Sequence, residues 1–95
     1  MLHKVVQVYP TDDYKVYLYF IDGAIKLFDA RELITQGIFI KLQDKEFFKN
    51  FCTVLNNTLA WDLSGNYDAG NCLDLDPDNL YETCQIVKDP LNASA

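Results

Sequence analysis

Alternating hydrophobic and polar positions near the start of the chain predict a strand followed by a β-hairpin. Residues 5–9 are mostly β-branched or aromatic, and Pro10 and the turn-forming residues 11–13 end this run. Residues 14–21 and 24–28 then flank Asp22-Gly23, a pair that readily adopts the positive φ angles of a two-residue type I′ turn. The pattern therefore predicts three antiparallel strands before Asp29.

A two-residue turn determines which side chains share a face of this hairpin. It places Phe20 opposite Ile25, and Leu18 opposite Leu27. One face would then be wholly apolar and form the core, with Val16, Leu18, Phe20, Ile25 and Leu27. The other face would be aromatic and basic, with Lys15, Tyr17, Tyr19, Ile21, Lys26 and Phe28. We expect partner binding on this second face.

Two short helices are predicted after the hairpin. Asp29 is placed to cap the first, with Glu32 three residues later as in a capping box, and Gly37 would end it. Residues 38–42 predict a brief extended run. Asp44 would begin the second helix, which carries Phe47, Phe48 and Phe51.

A second hairpin and a third helix are predicted in the rest of the chain. Residues 51–55 and 58–61 flank Asn56-Asn57, and Asn tolerates the left-handed conformation that a tight turn requires. The register would pair Cys52 with Trp61 and Val54 with Leu59. Residues 64–71 are rich in Gly, Asn and Asp and predict a loop. Asp76-Pro77 then predicts a helix start, with Leu80, Tyr81 and Cys84 facing the sheet.

These elements predict an α+β fold. The antiparallel sheet would be built from two hairpins and an N-terminal strand, with two or three short helices packed on it. A chain of 95 residues has room for one compact domain, which we expect over residues 1–88 with a frayed tail at 89–95.

Charge narrows the choice of partner. The net charge is −6, and residues 56–95 carry the whole excess, because their seven acidic residues face a single base, Lys88. Nucleic acids are bound mainly through Lys and Arg on their phosphates, so this balance argues against direct nucleic-acid binding and favours a basic protein partner. The alternative is a solvated acidic face that keeps the protein soluble.

Cysteine usage and hydropathy indicate a cytoplasmic protein. The three cysteines are an odd number without C-x-x-C spacing, as expected in a reducing compartment. No run approaches the ~20 apolar residues of a membrane helix, so no membrane association is expected.

Residues that carry chemistry are sparse, and the sequence predicts no catalytic residue, metal or cofactor. His3 is the only histidine and is expected to be an exposed strand-end side chain, so a Ser-His-acid triad or Cys-His pair is not predicted. Asp74-x-Asp76-x-Asp78 resembles the start of a calcium loop, but the required Gly and Glu are replaced by Asn79 and Gln85. No glycine-rich nucleotide loop is present. We therefore expect a protein that is not an enzyme.

Several landmarks are shared with a known family: Val8-Tyr9-Pro10, Tyr14-x-Val16-x-Leu18-x-Phe20-x-Asp22-Gly23, Asp29, Leu33, Trp61 and Leu75-Asp76-Pro77-Asp78-x-Leu80-Tyr81. Over about residues 5–81, the chain resembles short prokaryotic proteins of unknown function. The resemblance implies an antiparallel α+β fold. It also implies an antitoxin role, because the genes of members often neighbour a second small gene. Residues 63–72 depart from the family pattern as an insertion after the Trp.

The main functional hypothesis is a protein-binding module that neutralises a small basic toxin. The expected anchors are Tyr17, Tyr19 and Phe28, since aromatic residues dominate interface energetics. The acids expected to steer the encounter are Asp74, Asp76, Asp78 and Glu82. The aromatic face could instead be covered by the chain's own C-terminal helix or by a second copy in a homodimer.

A small-molecule or peptide-binding domain is the alternative function. Its pocket would lie near Trp61 and residues 64–71. The competing interpretation of Trp61 is an ordinary core residue.

Overall fold

The computed structural model describes residues 3–62 and 72–90, and it confirms the predicted α+β class. A four-stranded antiparallel sheet has the order β1-β2-β3-β7, and a three-stranded sheet has the order β4-β5-β6. The strands are β1 Val5–Pro10, β2 Lys15–Phe20, β3 Ile25–Asp29, β4 Cys52–Leu55, β5 Thr58–Asp62, β6 Cys72–Asp74 and β7 Gln85–Ile86. The helices are α1 Lys45–Asn50 and α2 Pro77–Thr83, with 3₁₀ helices at Leu33–Thr35 and Gly37–Gln43.

The first hairpin has a three-residue loop rather than the predicted two-residue turn. The Gly23 N–H donates to the Phe20 carbonyl at 3.0 Å, and the Phe20 N–H donates to the Ala24 carbonyl at 2.9 Å. Gly23 has φ +92°, as in a type I turn followed by a left-handed residue. The pairing therefore differs by one residue from the prediction, with Tyr19 opposite Ile25 and Leu18 opposite Lys26.

This one-residue difference inverts β3, because successive side chains of a strand point to opposite faces. Lys26 lies on the core side with only 7% of its surface exposed, and Phe28 packs against the core. Ile25 and Leu27 lie on the other side, so their predicted core positions are wrong. We call this other side of the four-stranded sheet the outer face; its side chains include Gln7, Tyr9, Lys15, Tyr17, Tyr19, Ile25, Leu27 and Gln85.

The segment after β3 is helical in two short 3₁₀ pieces. Asp29 ends β3 and accepts hydrogen bonds from the Arg31 backbone and guanidinium, so it does not cap a helix. Glu32 precedes the first piece without a side-chain capping bond. The predicted extended run at 38–42 is wrong, because Gly37 turns the chain at φ +44° into the second 3₁₀ helix.

The second hairpin and the helix before it are confirmed. The Asp44 carboxylate accepts from the backbone N–H groups of Glu46 at 3.0 Å and Phe47 at 3.4 Å, which caps α1. Asn56 and Asn57 both have positive φ, at 55° and 62°. The observed pairing of β4 with β5 is the predicted one: Cys52 opposite Trp61 and Val54 opposite Leu59.

One core joins the two sheets and α2. The Val5 N–H donates to the Asn57 carbonyl at 2.9 Å, which connects β1 to the second hairpin. Asp76 caps α2, Pro77 is its first residue, and Leu80 is buried, as the sequence predicts. The buried apolar cluster is Val5, Val16, Leu18, Phe20, Ala30, Ile34, Leu42, Phe48, Leu59, Trp61 and Leu80.

Candidate functional site

The outer face is a partly exposed aromatic and aliphatic surface. Tyr9 and Tyr17 are opposite each other in β1 and β2, and their rings stack with centroids 6.1 Å apart at 29°. Tyr9 is 42% exposed, and Tyr17 and Leu27 beside it are half-buried. The adjacent row holds Tyr19 opposite Ile25. Three tyrosines and two aliphatic residues thus form one contiguous patch.

The C-terminal segment covers one corner of this face. Strand β7 pairs with β3, and the Val87 N–H donates to the Ile25 carbonyl at 2.9 Å. The Tyr19 hydroxyl donates to Asp89 Oδ1 at 2.7 Å. Residues 91–95, most of the predicted frayed tail, lie outside the described part of the chain.

Helix α2 lies on the core side of the sheet, so it does not cover the aromatic face. Tyr81 packs edge-on against Phe20, with centroids 5.0 Å apart at 90°, and Phe20 is a core residue. Among the described residues, no helix covers the outer face where Tyr9 and Tyr17 lie.

The structure separates the predicted anchors. Tyr17 and Tyr19 lie on the outer face as expected. Phe28 lies opposite the buried Val16 and therefore points to the core side. Its predicted place beside the two tyrosines is wrong because the loop is one residue longer than expected.

The predicted acidic residues lie away from the outer face or have local roles. Asp76 caps α2, and Asp78 Oδ1 accepts from the His3 backbone N–H at 2.8 Å. Glu82 is exposed on the same helix. Asp74 belongs to β6, opposite Ala60, and its side chain is outside the description. The aromatic residues of the outer face and the described acids Asp76, Asp78 and Glu82 thus do not form a single contact surface.

A cluster of ionisable residues around Tyr81 was not predicted. The His3 ring stacks on the Tyr81 ring with centroids 3.6 Å apart at 5°, so His3 is half-buried rather than exposed. The Tyr81 hydroxyl donates to Asp22 Oδ2 at 2.6 Å. This hydrogen bond lowers the pKa of Asp22 and raises the pKa of Tyr81. The cluster holds α2 to the hairpin loop and to the segment just before β1.

Lys26 completes this cluster from the core side of β3. Its ammonium donates to the Tyr81 carbonyl and lies 4.1 Å from the centroid of the Tyr81 ring. That carbonyl belongs to the last turn of α2, a turn without a basic residue of its own. Lys26 therefore supplies the positive charge that a helix C-terminus favours.

The described thiols are poorly suited to nucleophilic chemistry. Burial raises the pKa of Cys52 to about 12 and also raises the pKa of Cys84. A nucleophilic cysteine requires a lowered pKa instead. Within residues 3–62 and 72–90, no group of three His, Cys, Asp or Glu side chains could hold a metal ion.

Each of two surface depressions lined by charged residues contains an ion pair. One, of about 460 Å³, is lined by Asp29, Arg31 and Glu32. The other, of about 400 Å³, is lined by Asp12, Lys45, Glu46, Lys49 and Asn50. Arg31–Asp29 and Lys49–Asp12 are both ion pairs at 2.6 Å. In each depression a cation and an acid thus already neutralise each other, which leaves little preference for a ligand of one charge.

Trp61 is a core residue. It has 0% of its surface exposed, and its Nε1–H donates to the Phe48 carbonyl at 3.0 Å. Residues 64–71, predicted as a loop that would form the other half of the pocket near Trp61, lie outside the described residues. No described helix is long and apolar enough to cross a membrane.

One known protein family matches most of the chain. Residues 5–85 match the family described as "Protein of unknown function (DUF2442)". The chain belongs to the DUF2442 family. The predicted resemblance to a family of unknown function is thereby confirmed, and the match extends from β1 to the first residue of β7. No curated protein and no solved structure matches the chain.

Proposed function

We propose that this DUF2442 protein is a non-catalytic, cytoplasmic protein-binding module that neutralises a small basic toxin. The observation that carries the proposal is the open tyrosine patch on the outer face, centred on the Tyr9–Tyr17 stack. Tyrosine is enriched among residues that dominate binding energy, because its large ring is rigid and its hydroxyl can also form hydrogen bonds.

The size of the face indicates how much of an interface it supplies. Strands about 4.8 Å apart and about 20 Å long give the face an area of roughly 300–400 Å². A standard interface buries about 800 Å² on each partner. The tyrosine patch is therefore the centre of an interface, and the partner must also contact the surface around it.

The acids of α2 assist association over distance. Asp76 and Glu82 are exposed on the helix that packs on the core side of the sheet, so they do not contact a partner bound at the outer face. Their charge adds to the acidic field of the chain, which attracts a basic protein and raises its association rate. The association rate, rather than the dissociation rate, should therefore fall as salt is added.

The binding proposal is tested with the product of the small neighbouring gene that the family resemblance implies. Replacing the stacked pair, Tyr9→Ser with Tyr17→Ser, should weaken binding at least 30-fold in calorimetry, because hot-spot residues contribute about 2 kcal/mol or more. The matched control is Ile40→Ser, an apolar residue with 51% exposure in the second 3₁₀ helix, which should bind like the wild type. Unchanged affinity of the double variant would refute the assignment of the face.

Separate measurements test the homodimer alternative and the proposal that the partner is a toxin. Sedimentation of the wild type as a dimer that Tyr9→Ser/Tyr17→Ser dissociates would assign the face to a second copy instead. Expression of the neighbouring product alone should arrest growth, and co-expression of the wild-type chain should restore it. Binding without growth arrest would retain the protein-binding module and reject the toxin.

A further inference from the structure

The outer edge of β3 is covered by β7, the shortest strand of the four-stranded sheet. Strand β3 has five residues, whereas β7 has two and pairs only with Lys26 and Leu27. Both residues of β7 are exposed, and Ile86 has 70% of its surface in contact with solvent. This strand therefore buries little side-chain area in return for ordering its backbone.

The hydrogen-bonding groups of β3 show which residues an incoming strand would meet. The Phe20–Ala24 bond directs the backbone groups of even-numbered β3 residues toward β2. The Val87–Ile25 bond shows that odd-numbered residues point to the outer edge. Ile25 and Leu27 thus combine edge hydrogen-bonding groups with side chains on the outer face.

Strand β7 matches this edge imperfectly. Gln85 lies opposite Leu27, so a polar side chain faces an apolar one. A strand with apolar residues opposite both Ile25 and Leu27 would make better cross-strand contacts and would extend the tyrosine patch. An exposed sheet edge also offers backbone hydrogen bonds to any extended chain.

We infer that the partner adds an extended segment antiparallel to β3, in the place that β7 occupies in the free protein. This inference rests on the proposed function and specifies its binding mode. The segment has apolar residues at alternate positions, and its flanks are basic because the net charge of this chain is −6. Strand addition at this edge is continuous with the tyrosine patch and supplies the contact area that the patch alone lacks. The family match ends at Gln85, so Ile86 and Val87, which also cover the edge of β3, lie outside it.

A peptide titration tests whether the edge accepts a strand from another molecule. The probe is a fluorescein-labelled peptide of residues 84–90 in which Cys84→Ser prevents oxidation and Gln85→Val places an apolar residue opposite Leu27. Full-length Val87→Pro loses the N–H that bonds to Ile25 and should open the edge. The matched control is Ile86→Pro, because the Ile86 N–H points away from β3 in this register.

The peptide should bind Val87→Pro at least tenfold more tightly than Ile86→Pro or the wild type, as measured by anisotropy. Hydrogen exchange at the Leu27 amide verifies that the edge has opened in Val87→Pro. An opened edge without peptide binding would overturn the inference, and so would equal binding to all three proteins.

A reversible disulfide between β3 and β7 tests whether the partner binds at this edge. Ile25 and Val87 are directly opposite and hydrogen-bonded, so a disulfide from Ile25→Cys and Val87→Cys, in a Cys84→Ala background, should fix β7 to β3. The neighbouring gene product should bind the reduced form at least tenfold more tightly than the oxidised form. Equal binding to both forms, together with loss of binding in Tyr9→Ser/Tyr17→Ser, would reject strand addition and retain the outer face. Binding to neither form nor the wild type would reject the proposed function, and the peptide titration would still decide the edge.

Discussion

Lys26 shows how a charged residue is accommodated on the core side of a small sheet. Removing an ammonium from water is costly, but here its donor meets a helix-terminal carbonyl and an aromatic ring. No described carboxylate forms an ion pair with it. Whether the buried ammonium stabilises the fold therefore depends on its contacts with α2, whose last turn has no basic residue of its own.

Replacing Lys26 tests that balance. Lys26→Met keeps an unbranched side chain of similar reach but leaves the Tyr81 carbonyl without its donor, so the free energy of unfolding should fall by about 1–2 kcal/mol. Lys26→Glu places an anion beside that carbonyl and should cost about 3 kcal/mol or more. Urea denaturation measures both. Wild-type stability in Lys26→Met would mean that desolvation of the ammonium cancels its contacts.

The hydrogen bond between Tyr81 and Asp22 predicts a pH-dependent difference in stability. It lowers the pKa of Asp22, so its contribution is present above the unfolded value of about 4 and is lost as pH falls through the folded pKa. It raises the pKa of Tyr81, so that contribution is present below about pH 10 and is lost as pH rises through the folded pKa.

Tyr81→Phe should therefore be less stable than the wild type between about pH 4 and pH 10, and the two should converge outside that window. Urea midpoints measured from pH 3 to pH 11 give the comparison, with Tyr9→Phe as a control on the other face. A constant difference at every pH would show that ring packing, and not the hydrogen bond, causes the change.

At the scale of elements, two similar turn signals gave different outcomes. Asn56-Asn57 forms the predicted two-residue turn because both residues adopt positive φ. Asp22-Gly23 fits either a two-residue turn or the end of a three-residue loop, in which only Gly23 is left-handed. The Ala24 N–H donates to Asp22 Oδ1 at 2.9 Å, and this bond stabilises the longer loop. The Asp-Gly pair by itself does not distinguish these two loops. In the longer loop, Lys26 also reaches the Tyr81 carbonyl of α2, a contact that the pattern of residues 14–28 could not reveal.

Gly23 carries the conformational requirement of this loop. At φ +92°, Gly23→Ala should lower the free energy of unfolding by about 1 kcal/mol or more, although a Cβ there meets nothing within 4 Å. Gly23→Asn should lose less, because Asn tolerates the left-handed region better than Ala. Equal stability of all three proteins in urea would show that the loop readily adopts another conformation.

The other helices and strands could be predicted only where neighbouring residues in the sequence determine them. The caps Asp44 and Asp76 identified α1 and α2 from single residues. Strand β7 has no local signal, because its two exposed residues become a strand only through contact with β3. At the candidate site, alternation alone placed Tyr17 and Tyr19 together, whereas Phe28 depended on the loop length. His3 required knowledge of Tyr81, which is distant in the chain.

At the scale of the whole molecule, β1 connects the two sheets. It pairs with β2, contacts β4 and β5, and buries Val5 at 1% exposure. Leu59 and Trp61 of the second sheet belong to the same core cluster as Val16 and Leu18 of the first. We therefore expect the two sheets to unfold together.

Val5→Ala tests this coupling. Loss of two buried carbon atoms and the resulting cavity should cost roughly 2 kcal/mol. Unfolding midpoints followed by the NMR signals of the Trp61 indole and of the β2 amides should both move to lower urea concentration and should coincide. A shift confined to the β2 amides would mean that the second sheet folds independently. Val6→Ala, at an exposed position of the same strand, is the matched control.

The loop at residues 21–23 also determines the parity of the strand that follows it. Deleting one residue there would exchange the inward and outward side chains of β3, so that Ile25 and Leu27 turn inward while Lys26 and Phe28 turn outward. Such a deletion would replace an aliphatic recognition surface with a cationic aromatic one while every strand residue stayed the same. Among relatives, length variation at this loop would thus alter what the sheet recognises more than substitutions within the strands.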